Sequence, residues 1–279
     1  MQSEIDIEQL KKIELGLLCE FHNICERENL RYSLGGGTLL GAVRHRGFIP
    51  WDDDIDVMMP RPDYDKFVSY CLNSETSFGF KSFETDENYV DLSAKIFDKN
   101  TILVDNDILA EDQKIGVYID IFPIDGLGDS YKKAVKAFKS SAFKRNILIA
   151  AQWKKFQKST THGWYYEPFR FAFYVLSRCV NKAKTFKKIL KKYSRYDFDS
   201  VNYAAAVGGS YREKEILPQN VFTEYIDLPF ENYNFKAIKQ YDKYLSSIYG
   251  DYMKLPPENK RVAHHTFKAY YKEAEDIND

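Results

Sequence analysis

Three aspartates at every second position, Asp52, Asp54 and Asp56, closely follow the run Gly35-Gly36-Gly37-Thr38. Carboxylates spaced by two share one face of an extended strand. That face repels itself unless a cation neutralises it, and carboxylate oxygens suit hard divalent ions. The same parity points Asp53 to the opposite face with Ile55 and Val57, so Asp53 is set aside. A glycine run that opens a helix lets backbone approach an anion, and the helix N-terminus adds N–H donors. An ordinary tight turn explains the glycines equally well, but beside the carboxylates they point to metal-assisted chemistry on phosphate.

Two common motifs do not fit. Gly36 and Gly41 have the spacing of a Walker A loop, but Ala42 stands where lysine is required. Asp52, Asp54 and Asp56 open like a calcium-binding EF-hand loop, but Val57 replaces its glycine and the apolar run Val57-Met58-Met59 reads as a buried strand.

The elements that position these residues follow from periodicity. Residues 4–29 carry an amphipathic helical stripe through Leu10, Leu17, Phe21 and Ile24, with Ser3-x-x-Asp6 as its N-terminal cap. A strand over 31–34 leads into the glycines, a helix spans 38–44, and the carboxylate strand covers about 53–59. A helix over 62–72 precedes β-like runs at 78–84, 92–97 and 115–122. The last is apolar except for Asp120, and an unpaired buried carboxylate is costly, so Asp120 needs a partner. Two or three helices fill 130–200. A Gly208-Gly209 turn, a β-like segment at 221–230, a helix around 235–249 and a last helical segment bearing His264 and His265 complete the chain. Adjacent histidines aim apart on any regular element; substrate contact and a structural role both stay open for them.

With 279 residues, 44% hydrophobic, the chain is long enough for one large α/β core with an annex. Its four cysteines fit no C-x-x-C spacing, and buried free thiols are expected. No secretory signal or long apolar span is evident, which suggests a cytoplasmic protein. The net charge of −1 conceals an asymmetry: residues 130–200 hold 18 Lys and Arg against three acidic residues, a local +15, while the rest of the chain carries −16. Solvated annex helices are the first reading of this basic, aromatic stretch. Contact with an anionic membrane, best through 169–180 with Arg170 and Arg178 near its ends, comes second, and nucleic acid last.

The combination of a glycine turn, an Asp-x-Asp strand and a single later Asp resembles the nucleotidyltransferase superfamily. GGGTLLGAVRHRGFIPWDDDIDVMMPRPDYDKF (35–67) then closely resembles the signature of the LicD family, the phosphocholine transferases related to fukutin and fukutin-related protein. YIDIFPIDG (118–126) continues the likeness, and FENYNF (230–235) and YLSSIYGDYMKLPP (244–257) extend it more weakly. The resemblance implies an α/β (α+β) fold with a mixed sheet flanked by helices. It suggests a catalytic core over 1–129, a basic helical insertion over 130–200 and a segment over 201–279 that completes the core and the acceptor site.

It further implies that Asp54, Asp56 and Asp120 are catalytic metal ligands, with Asp52 joining them, for two Mg²⁺ or Mn²⁺ ions. Gly36, Gly37, Thr38, Arg44, Lys95 and Trp51 become the expected substrate contacts, and Asp120 or Asp52 the general base. The implied reaction moves phosphocholine from CDP-choline to a glycan hydroxyl, on a teichoic acid or lipopolysaccharide precursor, lipid-linked at the inner membrane face. CDP-ribitol, CDP-glycerol or a sugar phosphate as donor, and a non-catalytic scaffold, remain the alternatives. A choline head group calls for an aromatic cage, for which Tyr32, Trp51, Tyr118 and Phe122 are candidates.

Overall fold

The computed structural model describes residues 3–104, 115–153, 155–156, 158–159, 163–261 and 267–273. In chain order it contains β1 (Glu4–Ile5), α1 (Ile7–Arg27), β2 (Ser33–Leu34), α2 (Gly36–His45), β3 (Asp56–Pro60), α3 (Arg61–Asn73), β4 (Gly79–Lys81), β5 (Ala94–Phe97), β6 (Thr101–Val104) and β7 (Tyr118–Gly128). There follow α4 (Tyr131–Lys139), α5 (Ala142–Gln152), α6 (Glu167–Arg178), α7 (Lys182–Tyr193), β8 (Tyr203–Ala206), β9 (Leu217–Pro218), β10 (Tyr225–Phe230), β11 (Tyr233–Ile238), α8 (Tyr241–Tyr249) and β12 (Lys268–Tyr271).

The main sheet has the order β2-β3-β7-β5-β4, with β8 and then β9 added beyond the far half of β7. β3 and β7 run parallel and the other pairs antiparallel, the mixed α/β architecture expected. β7 is the spine: its residues 118–121 pair with β5, 120–124 with β3 and 124–128 with β8. Leu17, Leu18 and Phe21 of α1 pack with Val57 and Met59 of β3 and Ile119 and Ile121 of β7 in the largest core. Burial of each such side chain contributes roughly 1.5–3 kcal/mol. A second core joins Ala134 and Phe138 of α4, Leu148 of α5 and Phe186 and Ile189 of α7 to Leu127 and Ala205 on the β7–β8 edge.

Several expectations shift. α1 is capped by Asp6 rather than Ser3: Asp6 Oδ1 accepts the Gln9 N–H at 2.8 Å, and Gln9 Oε1 accepts the Asp6 N–H at 3.0 Å. The described residues of 130–200 form four α-helices, and Pro168 starts α6 instead of breaking a helix, since the first turn needs no N–H there. The helix expected around 235–249 divides into β11, which pairs with β10, and α8. A strand, β12, closes the C-terminal region against β1 and β6, while His264 and His265 lie outside the described residues. All four thiols are free, but only Cys25 is buried; Cys19 and Cys71 are half-buried and Cys179 is exposed.

Candidate active site

The carboxylate strand begins only at Asp56. β2 is two residues long and pairs Leu34 with Val57, so residues 52–55 have no ladder partner on that side. Instead the Asp56 N–H donates to Thr38 Oγ1 at 2.8 Å, and the Asp56 carbonyl accepts from the Gly35 N–H at 2.9 Å. Side-chain parity therefore does not govern 52–55. Asp53 is buried, and its carboxylate gathers with those of Asp52 and Asp54 to within 4.8 Å of one another, contrary to the expectation that it points away.

Strand register supplies the distant partner. Asp56 on β3 lies directly beside Asp120 on β7, and Asp120 lies directly opposite Lys95 on β5. Lys95 Nζ donates to both Asp120 oxygens at 2.7 Å, and Ser93 Oγ donates to Asp120 Oδ1 at 2.9 Å. Burial lowers the tendency of Lys95 to stay charged, but Asp120, Tyr118 and Asp91 outweigh it.

The glycine turn closes over this acid face because only hydrogen fits there. A Cβ on Gly36, whose φ is +44°, would sit 2.9 Å from Asp56 Oδ2, and one on Gly37 would sit 2.6 Å from Asp52 Oδ2. Burial, then Asp54 and Asp53, pushes Asp52 up to about 7. Burial, then Asp54 and Asp120, holds Asp56 well above the usual carboxylate range, against the opposing pull of Lys95. The carboxylates gathered at Asp52, Asp53 and Asp54, with Asp56 and Asp120 side by side on the adjoining strands, are an all-oxygen donor set that fits a hard divalent cation.

A cleft of about 780 Å³ opens on this face. Gly36, Gly37, Arg44, Trp51, Asp52, Asp54 and Asp56 line it together with Ser210, Tyr211, Tyr249, Tyr252, Lys254 and Lys260. Arg44 is anchored by a 2.8 Å hydrogen bond to the Tyr252 carbonyl. Thr38 and Lys95 stand behind the cleft, bracing Asp56 and Asp120. Of the four aromatic candidates only Trp51 lines it. Tyr32 is buried with its hydroxyl 2.8 Å from His22 Nδ1, the Tyr118 ring already carries the Lys95 ammonium 3.6 Å away, and Phe122 packs against the core.

Sequence reasoning missed Tyr211, which meets Tyr249 edge to face at 4.9 Å, and Glu14 of α1. Burial, then Asp54, Asp53 and Asp52, raises the Glu14 carboxyl, and its Oε2 has no hydrogen-bond partner. A readable sign existed: Glu14 interrupts the apolar stripe of α1 between Leu10 and Leu17.

The loop that brings Ser210 and Tyr211 to the cleft is tied by Glu215, whose Oε1 accepts the Tyr211 N–H at 3.0 Å. Burial pushes Glu215 up to about 7 from 4.5. The neutral form is preferred in the fold, so its contribution is full below about 4.5 and is lost as pH rises through about 7. Glu215→Gln keeps the acceptor and removes the charge. It is expected to stabilise the protein by about 3 kcal/mol at pH 8 and hardly at all at pH 4.5; equal urea midpoint shifts at both pH values would contradict this.

Residues 29–173 match the family model described as LicD/FKTN/FKRP, nucleotidyltransferase domain. The lipopolysaccharide cholinephosphotransferase LicD of Haemophilus influenzae is 33% identical over 288 residues, covering 96% of this chain and 98% of the relative. The chain belongs to the LicD family. This LicD-family protein is therefore an enzyme, a phosphotransferase of the LicD type. The ribitol 5-phosphate transferase FKRP of Homo sapiens shares 53% identity over 34 residues, 12% of this chain and 7% of the relative. An uncharacterised Rickettsia prowazekii protein, RP689, is 38% identical over 65 residues, 20% of this chain and 24% of its own. Among the described residues no helix is long and apolar enough to cross a membrane.

Proposed function

We propose that this LicD-family protein transfers phosphocholine from CDP-choline to a glycan hydroxyl, releasing CMP. The observation that carries this reading is a cleft that brings the acid pole under the glycine turn together with the aromatic side chains of Trp51, Tyr211, Tyr249 and Tyr252. Aromatic faces attract a quaternary ammonium that offers no hydrogen-bond donor. The Haemophilus relative, named as a cholinephosphotransferase and matched nearly end to end, supports the same head group.

Asp54, Asp56 and Asp120, with Asp52 beside them, would hold Mg²⁺ or Mn²⁺, two ions by family resemblance, which when bound neutralises the pyrophosphate and activates the acceptor hydroxyl. Gly36 and Gly37 at the start of α2 line the cleft where the donor phosphates would lie, and Arg44 adds a fixed positive charge there. The acceptor's proton goes to Asp52 in preference to Asp120, because Asp52 lines the cleft while Lys95 engages both Asp120 oxygens. The acceptor is a lipopolysaccharide or teichoic acid precursor, presented on a lipid carrier at the inner face of the membrane. We read 1–129 as the catalytic core, 130–200 as an insertion and 201–279 as the segment completing the acceptor side.

A donor panel tests this. CDP-choline, CDP-ribitol and CDP-glycerol are offered with Mg²⁺ and a glycan acceptor, and CMP release is followed. CDP-choline is expected to be turned over fastest. Tyr211→Leu is expected to raise its KM about 5–30-fold, equivalent to ~1–2 kcal/mol of cation–π attraction, while leaving the uncharged-headed donors nearly unaffected. Preference for CDP-ribitol would instead assign this protein the donor class of its FKRP relatives.

A further inference from the structure

We infer that α6 and the turn before it form a docking surface for an anionic lipid bilayer. An ordinary surface helix turns its charged face to water and its apolar face inward. α6 does the reverse. Ser177 is its one buried residue, and Phe169, Phe171, Val175 and Leu176 are 68%, 52%, 48% and 50% exposed. Trp164, in the turn leading into α6, is 84% exposed and extends the same surface.

The inner contacts of α6 are rings rather than aliphatic core: Phe173 against Phe143 of α5 at 5.4 Å, and Tyr174 stacked on Trp153 at 6.5 Å. These hold the helix while leaving its apolar side outward. Its two cations sit at the margins, the Arg170 guanidinium over Trp153 at 4.9 Å and that of Arg178 over Tyr174 at 4.4 Å. Phe156 meets Phe171 edge to face at 5.4 Å, and Phe169, Val175 and Leu176 stay about half exposed or more.

Charge decides the occupant. The surface belongs to the stretch 130–200, which carries +15 in a chain whose remainder carries −16. A second copy would bring the same basic stretch against itself, and a neutral apolar partner would gain nothing from the lysines. Anionic lipid headgroups complement the charge, and the acyl boundary accepts Trp, Phe, Val and Leu side chains at shallow depth. α6 has 12 residues, too short to span a bilayer and suited to lying along one.

This docking is independent of the transfer reaction, so it is measured without donor or acceptor. The full-length protein is sedimented with vesicles of phosphatidylcholine alone, or of phosphatidylcholine with about a third phosphatidylglycerol. Binding to the anionic vesicles is expected to be at least about tenfold tighter and to weaken as NaCl is raised. The double substitution Phe169→Ser with Leu176→Ser is expected to reduce that binding at least about tenfold with an unchanged melting temperature, since both side chains face outward. Absence of binding to anionic vesicles at low salt would overturn the inference. So would wild-type binding by the double variant, or a solution dimer that this variant dissolves.

Discussion

Asp56→Asn is expected to lower the rate of phosphoryl transfer by about 10³-fold, or ~4 kcal/mol of barrier, while making the protein without divalent ions more resistant to heat. Both effects have one origin. Asp56 is half-buried beneath the glycine turn, and loss of solvent, then Asp54 and Asp120, hold its carboxyl well above the usual range. Asparagine keeps the shape and removes the charge, so the repulsion is relieved and the donor set for the cation is broken. Sites built for charge are commonly stabilised when the charge is removed. The measurements are CMP release at saturating Mg²⁺ and thermal melting with and without Mg²⁺. The variant is expected to lose most of the Mg²⁺-dependent rise in melting temperature, because stabilisation by a bound ion falls with its affinity. Unchanged turnover would remove Asp56 from the catalytic machinery.

The second large effect is on stability. Arg61→Ala is expected to cost about 3–5 kcal/mol, because it strands a carboxylate in the core. Arg61 sits at the start of α3 and donates from Nε and Nη2 to the two oxygens of Asp125, at 2.7 and 2.9 Å. Asp125 is fully buried on β7, and Arg61 is itself mostly buried. The pair ties α3 to the spine of the sheet, on the strand that also carries Asp120. Replacing both partners by apolar residues, Arg61→Met with Asp125→Leu, is expected to recover most of the loss, since neither charge then needs solvation. Urea denaturation of the two variants and the wild type separates the cases. A double variant as unstable as Arg61→Ala would mean that the pair contributes more than mutual neutralisation. Arg61 flanks the acidic segment in sequence, but its bidentate fork is already occupied by Asp125.

Much of the candidate site is legible in the residues of 35–67 and 118–126. Local chemistry is sufficient there: glycines where a Cβ would collide with carboxylates, alternating aspartates, and one charged residue in an otherwise apolar strand. The family signature is likewise a local pattern, and the family model and the Haemophilus relative agree with it. Glu14 was within reach of the same reasoning, as an acid in an apolar stripe. Tyr249 and Tyr252 fall inside the weaker likeness at 244–257, but nothing in that segment tells which way a tyrosine faces.

What the sequence by itself determined is the donor set and its local frame: a turn only glycine can make, carboxylates next to it, and a basic segment set in an acidic chain. These follow from residue type and short-range periodicity, which act within a few residues along the backbone. The tertiary structure alone decided which of these groups share a space. Strand register placed Asp120 between Asp56 and Lys95; the shortness of β2 left 52–55 unpaired and brought Asp53 into the cluster. The fold also brought Tyr211 and Tyr249 into the same cleft as the glycine turn. The physical reason is that sheet register and helix docking are set by burial summed over the whole core, a quantity that no single segment contains.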